Sequence, residues 1–521
     1  MASSHPPDEA DEALEDEEVM LDPNEAAEEI PSDPDQPMDS DPEDDAPEEE
    51  IQLQNDSIAH FDKHTDSIFC IAQHPLNPSI IATGAGDDTA YIFSTNPPST
   101  PLPASYESTP SLSRASLEPL AKLSGHTDSI NALAFTFPNG DYLLTAGLDG
   151  RLRAYTTAST YTFLAETQEV SEINWLLPTP YPSHPNTFAL GASDGSIWIY
   201  TVSRPTDPTA PGLQVLQAYY LHTASCTAGA WTPDGKLLCT VSQDGSFYAH
   251  DVFGDAAAAG LTSASPSGQA LVGLTAEDQR FAVEDGLYSV AVAPTGAFAA
   301  VGGAGGMIRV VGLPRFGAGA TNGSASALSS LGTRGAKGGG AKSKGGRKAG
   351  SAEAGEGASA GQAGQILASL QAQGEGVETL GFAAGPLTLL AAGSVDGSVV
   401  LFDWAHRFAV RRHIRDAHEG YAVVKVEFVV SGAGGLQPLQ QQQGGEVEAK
   451  WLLTTCGIDG VVRRWDTRGG TAAGGQGLVG EWRGHRGEGE GGGVLGFVQG
   501  GGKIVTAGDD GVSLVFDTRS A

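Results

Sequence analysis

Only four cysteines occur in the 521 residues, Cys70, Cys226, Cys239 and Cys456, far apart and without a CxxC pair. Neither a disulfide framework nor a zinc ribbon can be assembled from them. The N-terminus is acidic where a secretory signal would be basic and then apolar. No run approaches the roughly 18 to 20 apolar residues of a bilayer span. These absences point to a soluble chain in a reducing compartment, cytoplasmic with the nucleus as an alternative, and with no membrane contact. Positive charge is scarce as well: 29 Lys and Arg stand against 64 Asp and Glu. Residues 1–50 carry 22 of those acids and no Lys or Arg, so the formal net charge of −35 leaves −13 for the remainder. Such a surface repels phosphate backbones and attracts basic peptides, so no direct nucleic-acid binding by the folded body is expected.

Enzyme signatures are missing too. There is no GxxxxGK[ST], HExxH or GxSxG and no Cys/His cluster with zinc spacing, so no catalytic residue, metal or cofactor is expected. The glycine run at 302–306 is followed by no helix pattern and reads as a turn, not as a phosphate cradle.

What is abundant is glycine, 70 residues, set between short apolar runs. Residues 1–55 cannot bury enough apolar surface to order themselves and are expected to be a disordered acidic tail. From residue 56 to 521 one frame recurs: small residues, Asp-Gly, Ser, Thr or Val, an alternating strand, then an aromatic. It reads Ser193-Asp194-Gly195-Ser196-Ile197-Trp198-Ile199-Tyr200 in one copy, returns at 86–93, 148–155, 243–251, 396–403, 459–466 and 510–517, and survives without its Asp at 305–311. Roughly 20 to 25 residues upstream of many copies stands a His before an alternating apolar strand: His64, His126, His222, His418 and His485. The copies at 193–200, 305–311 and 396–403 keep the strand but lack the His. Flexible insertions are expected at 96–116, 316–364 and 431–447, the second with a basic patch at 334–348.

Gly-His, the Asp-Gly turn and the closing aromatic resemble the WD40 family, over nearly everything after residue 56. The resemblance implies an all-β propeller, eight-bladed, or seven-bladed if the copy lacking Asp is not a full blade. It also implies a hydrogen-bonded brace in each blade, pairing His64 with Asp87, His126 with Asp149, His222 with Asp244, His418 with Asp459 and His485 with Asp510. Five equivalent His–Asp pairs spread around a ring cannot converge on one substrate, so they read as structural. The last copy ends at Asp517, and the strand completing it is expected from 56–61.

A second set of acids lies where each inner strand begins. Asp66, Asp128, Glu169, Glu172, Glu284, Asp285, Glu375, Glu378, Glu419, Glu488 and Glu490 cover seven blades of eight, Asp509 stands in the last turn, and Tyr288 and Tyr421 lie nearby. Like charges around a channel focus a field toward basic ligands, and tyrosines can stack on Arg. Asp66, Asp128, Glu169, Glu172, Glu284, Asp285, Glu378, Glu419, Tyr421 and Asp509 are therefore the candidate partner-binding residues.

Within WD40 proteins the acidic tail followed by His64-Thr65-Asp66-Ser67-Ile68-Phe69-Cys70-Ile71, and then 83–92, 125–130 and 231–236, is similar to the group of the angio-associated migratory cell protein and the Sqt-type ribosome-assembly chaperones. That resemblance implies a monomeric, non-enzymatic chaperone. It would hold the basic N-terminal segment of a large-subunit ribosomal protein (uL-sixteen type) on the acidic face during large-subunit biogenesis. The alternative is a WD40 scaffold in signalling or cell migration.

Overall fold

A computed structural model describes residues 54–96, 114–158, 160–205, 211–261, 269–283, 285–315, 362–430, 449–468, 477–486 and 492–519. These described residues form eight sheets, seven of four strands and one of five. Blade 1 is built from Ile68–Gln73, Ile80–Ala85, Ala90–Ser94 and Pro119–Leu123. Blades 2 to 7 open with Ile130–Phe135, Ile173–Pro178, Cys226–Trp231, Leu287–Val292, Val377–Phe382 and Val423–Phe428. These opening strands contact one another in chain order, and Val494–Gly500 of blade 8 packs back on Ile68–Gln73, which closes an eight-bladed ring. The core is consequently divided among the seams between blades. Thr187–Ala192 and Leu237–Ser242 are buried at every position, as second strands must be when both faces pack on neighbouring sheets.

The eighth blade contributes Val494–Gly500, Lys503–Gly508 and Ser513–Asp517, and its fourth strand is Ala59–Phe61, with Ala59 opposite Val515 and Phe61 opposite Ser513. Phe61 is fully buried and stacks on Phe93 of blade 1 at 4.3 Å. The chain is engaged before residue 56: Asp56 N donates to Arg483 O at 2.8 Å, and Arg114 Nη2 donates to Asn55 O at 2.6 Å. The stretch expected to be loop at 96–116 is not loop throughout. Ala115–Ser116 pairs in parallel with the closing strand as a fifth strand, and Leu117 N donates to His60 O at 2.8 Å. Three residues make a weak edge alone, so a cover on the open side is the physical reason this segment is ordered. The rest of that insertion at 97–113, the tail before residue 54, 316–361 with its basic patch, and 431–448 lie outside the described residues. At the end of the second insertion, Gly364 N donates to Gly312 O at 2.9 Å.

The His residues sit under the turns. His64 Nδ1 lies 3.1 Å from Asp87 Oδ2, with Nε2 2.9 Å from Thr83 Oγ1. His126 meets Asp149 at 3.1 Å and Thr145 at 2.8 Å, and His485 meets Asp510 at 3.1 Å and Thr506 at 2.7 Å. In blade 7 the chain of bonds extends further: His418 meets Asp459 at 2.9 Å and Thr455 at 2.8 Å, and Trp465 Nε1 donates to Thr455 Oγ1 at 3.0 Å. Blade 4 departs from the expected pair. His222 Nδ1 faces Ser246 Oγ at 2.6 Å while Asp244 Oδ1 stands 4.0 Å away, because the Ser246 hydroxyl occupies the space between them and bonds to that carboxylate. Among the blades without His, blade 6 substitutes buried Gln373, whose Nε2 donates to Ser398 O at 3.0 Å. Blade 5 places buried Val283 four residues before Leu287.

Two expected outcomes follow. Phe61→Ala, which removes the stacked ring that seats the closing strand, lowers unfolding free energy in urea by about 3–5 kcal/mol; an unchanged midpoint contradicts this view of closure. Burial pushes His222 down to about 4 and His250 to about 3, from an ordinary 6.5. The unfolded chain therefore takes up protons first. Stability from these groups is complete above pH 6.5 and falls as pH drops, toward about 4 for His222 and about 3 for His250. The urea midpoint declines over that window, and His250→Phe makes the decline shallower.

Candidate functional site

The turn of each blade and the loop leading into the next blade lie at one end of the ring. A Cβ at Gly150 in the blade 2 turn would stand 2.0 Å from Val170 O, in the loop leading into blade 3, so the left-handed glycine there is also a steric requirement. The same closeness joins the ends of the chain. Ser67 Oγ donates to Asp509 Oδ1 at 2.6 Å, across 442 residues, and carries the blade 8 turn onto the loop of Asp66. Asp66 in turn lies over the blade 1 turn: a Cβ at Gly86 would be 2.8 Å from its Oδ2.

Blade 1 holds an acid that the repeat pattern did not single out. Where the other turns carry glycine at positive φ, it has Asp88 at φ 59°. Partial burial, and then the charges of Asp128, Asp87 and Asp149, raise the Asp88 carboxyl above the usual carboxylate range. Asp509, Asp66, Asp88 and Asp128 thus form one run over blades 8, 1 and 2. Glu169 and Glu172, both exposed, continue it at blade 3, beside the blade 2 turn, where Gln168 Nε2 donates to Asp149 O at 2.8 Å. Among the described residues no Lys or Arg pairs with any of these six acids; Arg151 turns instead to Asp149 and Glu166, at 3.7 and 3.8 Å.

The remaining candidates are placed differently. Glu419 does not stand free: its Oε1 lies 2.7 Å from Arg463 Nη2 and 3.7 Å from Arg483 Nη2. The physical reason is that buried Arg463 needs counter-charges, and it takes Glu419, Asp459 and Glu481. Half-buried Tyr421 sits in the same loop, its N donating to His418 O at 2.7 Å. Asp285 is exposed at φ 62°, and its carbonyl accepts from Tyr288 OH at 2.7 Å. Glu284, Glu488 and Glu490 lie outside the described residues. Glu378 belongs to the inner strand of blade 6, and partial burial raises its carboxyl.

Sequence periodicity also missed a register shift. In every opening strand the pairing slips after the first residue, between Ile68 and Cys70 in blade 1 and between Val377 and Thr379 in blade 6. A bulge of this kind re-aims one side chain. In blade 1 that residue is Phe69, 42% exposed and next to Asp66 across Gly86. The surface is therefore an acidic crescent over blades 8, 1, 2 and 3 beside exposed Phe69, with Leu148 also exposed at the blade 2 turn, while Glu419 of blade 7 is paired with Arg463 and Arg483. Among the described residues no group of His, Cys, Asp and Glu is placed to hold a metal.

The WD domain, G-beta repeat family model matches residues 55–94, 117–156 and 213–251. Over 212 residues the chain is 29% identical to the ribosome assembly protein SQT1 of Saccharomyces cerevisiae, covering 39% of this chain and 43% of that protein. It is 24% identical over 201 residues to the angio-associated migratory cell protein of Homo sapiens, covering 38% of each. The chain thus spans less than half the length of these two curated relatives. Against the crystal structure of Chaetomium thermophilum Sqt1 the TM-score is 0.70 at 48% identity, covering 90% of this chain and 99% of that one. A second crystal structure of that protein, bound to the N-terminus of the ribosomal protein L10, gives the same TM-score and identity over 89% of this chain and 100% of that one. Similarity of that degree over the full length of a solved relative places the chain in the Sqt1 family of WD40-repeat proteins.

Proposed function

We propose that this chain is a ribosomal-protein chaperone that captures the basic N-terminal segment of a large-subunit ribosomal protein of the L10 type on its acidic crescent. It works by binding, without catalysis, as a monomer in the cytoplasm. The observation that carries the reading is the run Asp509, Asp66, Asp88, Asp128, Glu169 and Glu172, unpaired with Lys or Arg among the described residues, on the fold of a relative crystallised with such a segment. A single exposed ion pair contributes little, so useful affinity requires several acids acting on one cationic chain. Phe69 supplies the contact that charge alone lacks, an exposed ring on which an Arg side chain can stack between flanking carboxylates. Residues 1–50 carry a further 22 Asp and Glu and no Lys or Arg.

Calorimetry with the L10 N-terminal peptide tests this reading. Affinity falls steeply with added salt, and Asp66→Lys and Asp128→Lys each weaken binding roughly tenfold. Glu419→Gln, already neutralised by Arg463, changes affinity by less than about twofold. Salt-indifferent binding, or equal losses for Glu419 and Asp66, contradicts the crescent. Phe69→Ala weakens the same peptide by about 1–2 kcal/mol with an unchanged unfolding midpoint; retained affinity removes Phe69 from the site.

A further inference from the structure

A cavity of about 480 Å³ lies between Leu213–Tyr219, the outer strand of blade 3, and Phe247–Asp251, the third strand of blade 4. Gln217, Tyr219, Asp251, Phe253 and Gln269 stand in its walls, and no acid of the crescent borders it.

Asp251 ends the third strand of its blade, as Asp403, Asp466 and Asp517 do in blades 6, 7 and 8. The repeat therefore supplies its own comparison. Asp403 meets His406 Nδ1 at 2.8 Å and Arg411 Nη1 at 3.8 Å, Asp466 meets Arg468 Nη2 at 2.6 Å, and Asp517 meets Arg519 Nη2 at 2.9 Å. In blade 4 the residue two positions on, where Arg468 and Arg519 stand in theirs, is Phe253, and 252–268 contain no Lys, Arg or His. Among the described residues no cation pairs with Asp251, and Lys236 lies 4.0 Å from Asp255 instead. Asp251 Oδ2 accepts from Ala257 N at 3.0 Å, whereas Oδ1 is buried without a donor, as is Gln269 Oε1. Two residues of one cavity wall thus each carry an acceptor whose desolvation is uncompensated. Tyr219, its ring 4.3 Å from that of His250, stands close by: burial first, and then the Asp251 charge, raise its hydroxyl.

We propose that this cavity binds a guanidinium group, held by Asp251 and Gln269 in place of the arginine that blade 4 lacks. The planar fork donates to a carboxylate and a neighbouring amide oxygen at once, which a point-charge ammonium does less well. Phe253 and Leu271 give the stem of such a group an apolar wall. The group is carried either by a free small molecule or by an arginine side chain of another polypeptide, and the two are separable by experiment.

Methylguanidinium and methylammonium chloride are titrated separately into the full chain at fixed ionic strength and followed by calorimetry and thermal unfolding. The expected result is saturable one-to-one binding of methylguanidinium, tighter than methylammonium, weakened roughly tenfold by Asp251→Asn and retained in the crescent variant Asp128→Lys. Gln217→Arg, which places on the cavity wall the cation that other blades carry, is expected to block binding, and it decides the matter should Asp251→Asn fail to fold. The capped tripeptide acetyl-Gly-Arg-Gly-amide separates the sources: tighter binding than methylguanidinium assigns the site to a chain-borne arginine, weaker binding to a free small molecule. No saturable binding, or binding unchanged in both Asp251→Asn and Gln217→Arg, overturns the assignment. Binding lost in Asp128→Lys and kept in Asp251→Asn overturns it as well, since the ligand then sits on the crescent.

Discussion

The pairing of Ala59–Phe61 with Ser513–Asp517 is the interaction on which the rest of this molecule depends. A ring of sheets buries its seams only if the last blade packs against the first, and here that blade has only three strands of its own. Borrowing the fourth from the other end of the chain makes eight sheets one closed unit. The borrowed strand is short, and the chain compensates twice: Phe61 is driven into the seam against Phe93, and Ala115–Ser116 covers the open edge. Closure also brings the Asp509 turn onto the loop of Asp66, through Ser67, where the two ends meet.

Once the ring is closed, charge is distributed by what the cations do. In blade 7 buried Arg463, with Arg483 beside it, pairs with Glu419, Asp459 and Glu481 and weakens the local field. In blades 8 to 3 the acids of the crescent have no such partner among the described residues, and the Asp88 carboxyl is raised by burial first and then by the charges of Asp128, Asp87 and Asp149. The His–Thr–Asp bonds beneath the turns hold these carboxylates in place without competing for a ligand, since the braced Asp87 and Asp149 are turned toward imidazoles. A partly one-sided acidic surface binds an extended cationic chain in a preferred place, whereas a uniform circle of charge would not.

The architecture was legible in the sequence because turns are local: Asp-Gly before an alternating strand marks a blade wherever it occurs, and the missing strand after Asp517 pointed to the residues before His64. Even the copy without Asp forms a full blade, from Leu287–Val292, Phe298–Gly303, Met307–Gly312 and Ile366–Gln371. What remained hidden depends on contacts between distant residues. Gln373 in place of a His, Ser246 between His222 and Asp244, and Arg463 against Glu419 leave no periodic trace. Two signals were present and passed over. Asp87-Asp88 stands where other copies have Asp-Gly, and Phe69 is an aromatic at the position that the bulge re-aims. Asp66, Asp128, Glu169, Glu172, Asp285 and Glu419 lie in loops whereas Glu378 stands in a strand, and the pairing of Glu419 is set by Arg463, 44 residues away.

The most direct test of the central claim is a backbone hydrogen-exchange footprint of the chain with and without a basic ribosomal-protein N-terminal peptide. Slowed exchange at 64–69, 86–89, 127–131 and 168–173, with 419–421 and 499–503 unchanged, is the result expected of an acidic crescent that cups a cationic segment. Protection centred on blade 7, or confined to the outer strands, would contradict it.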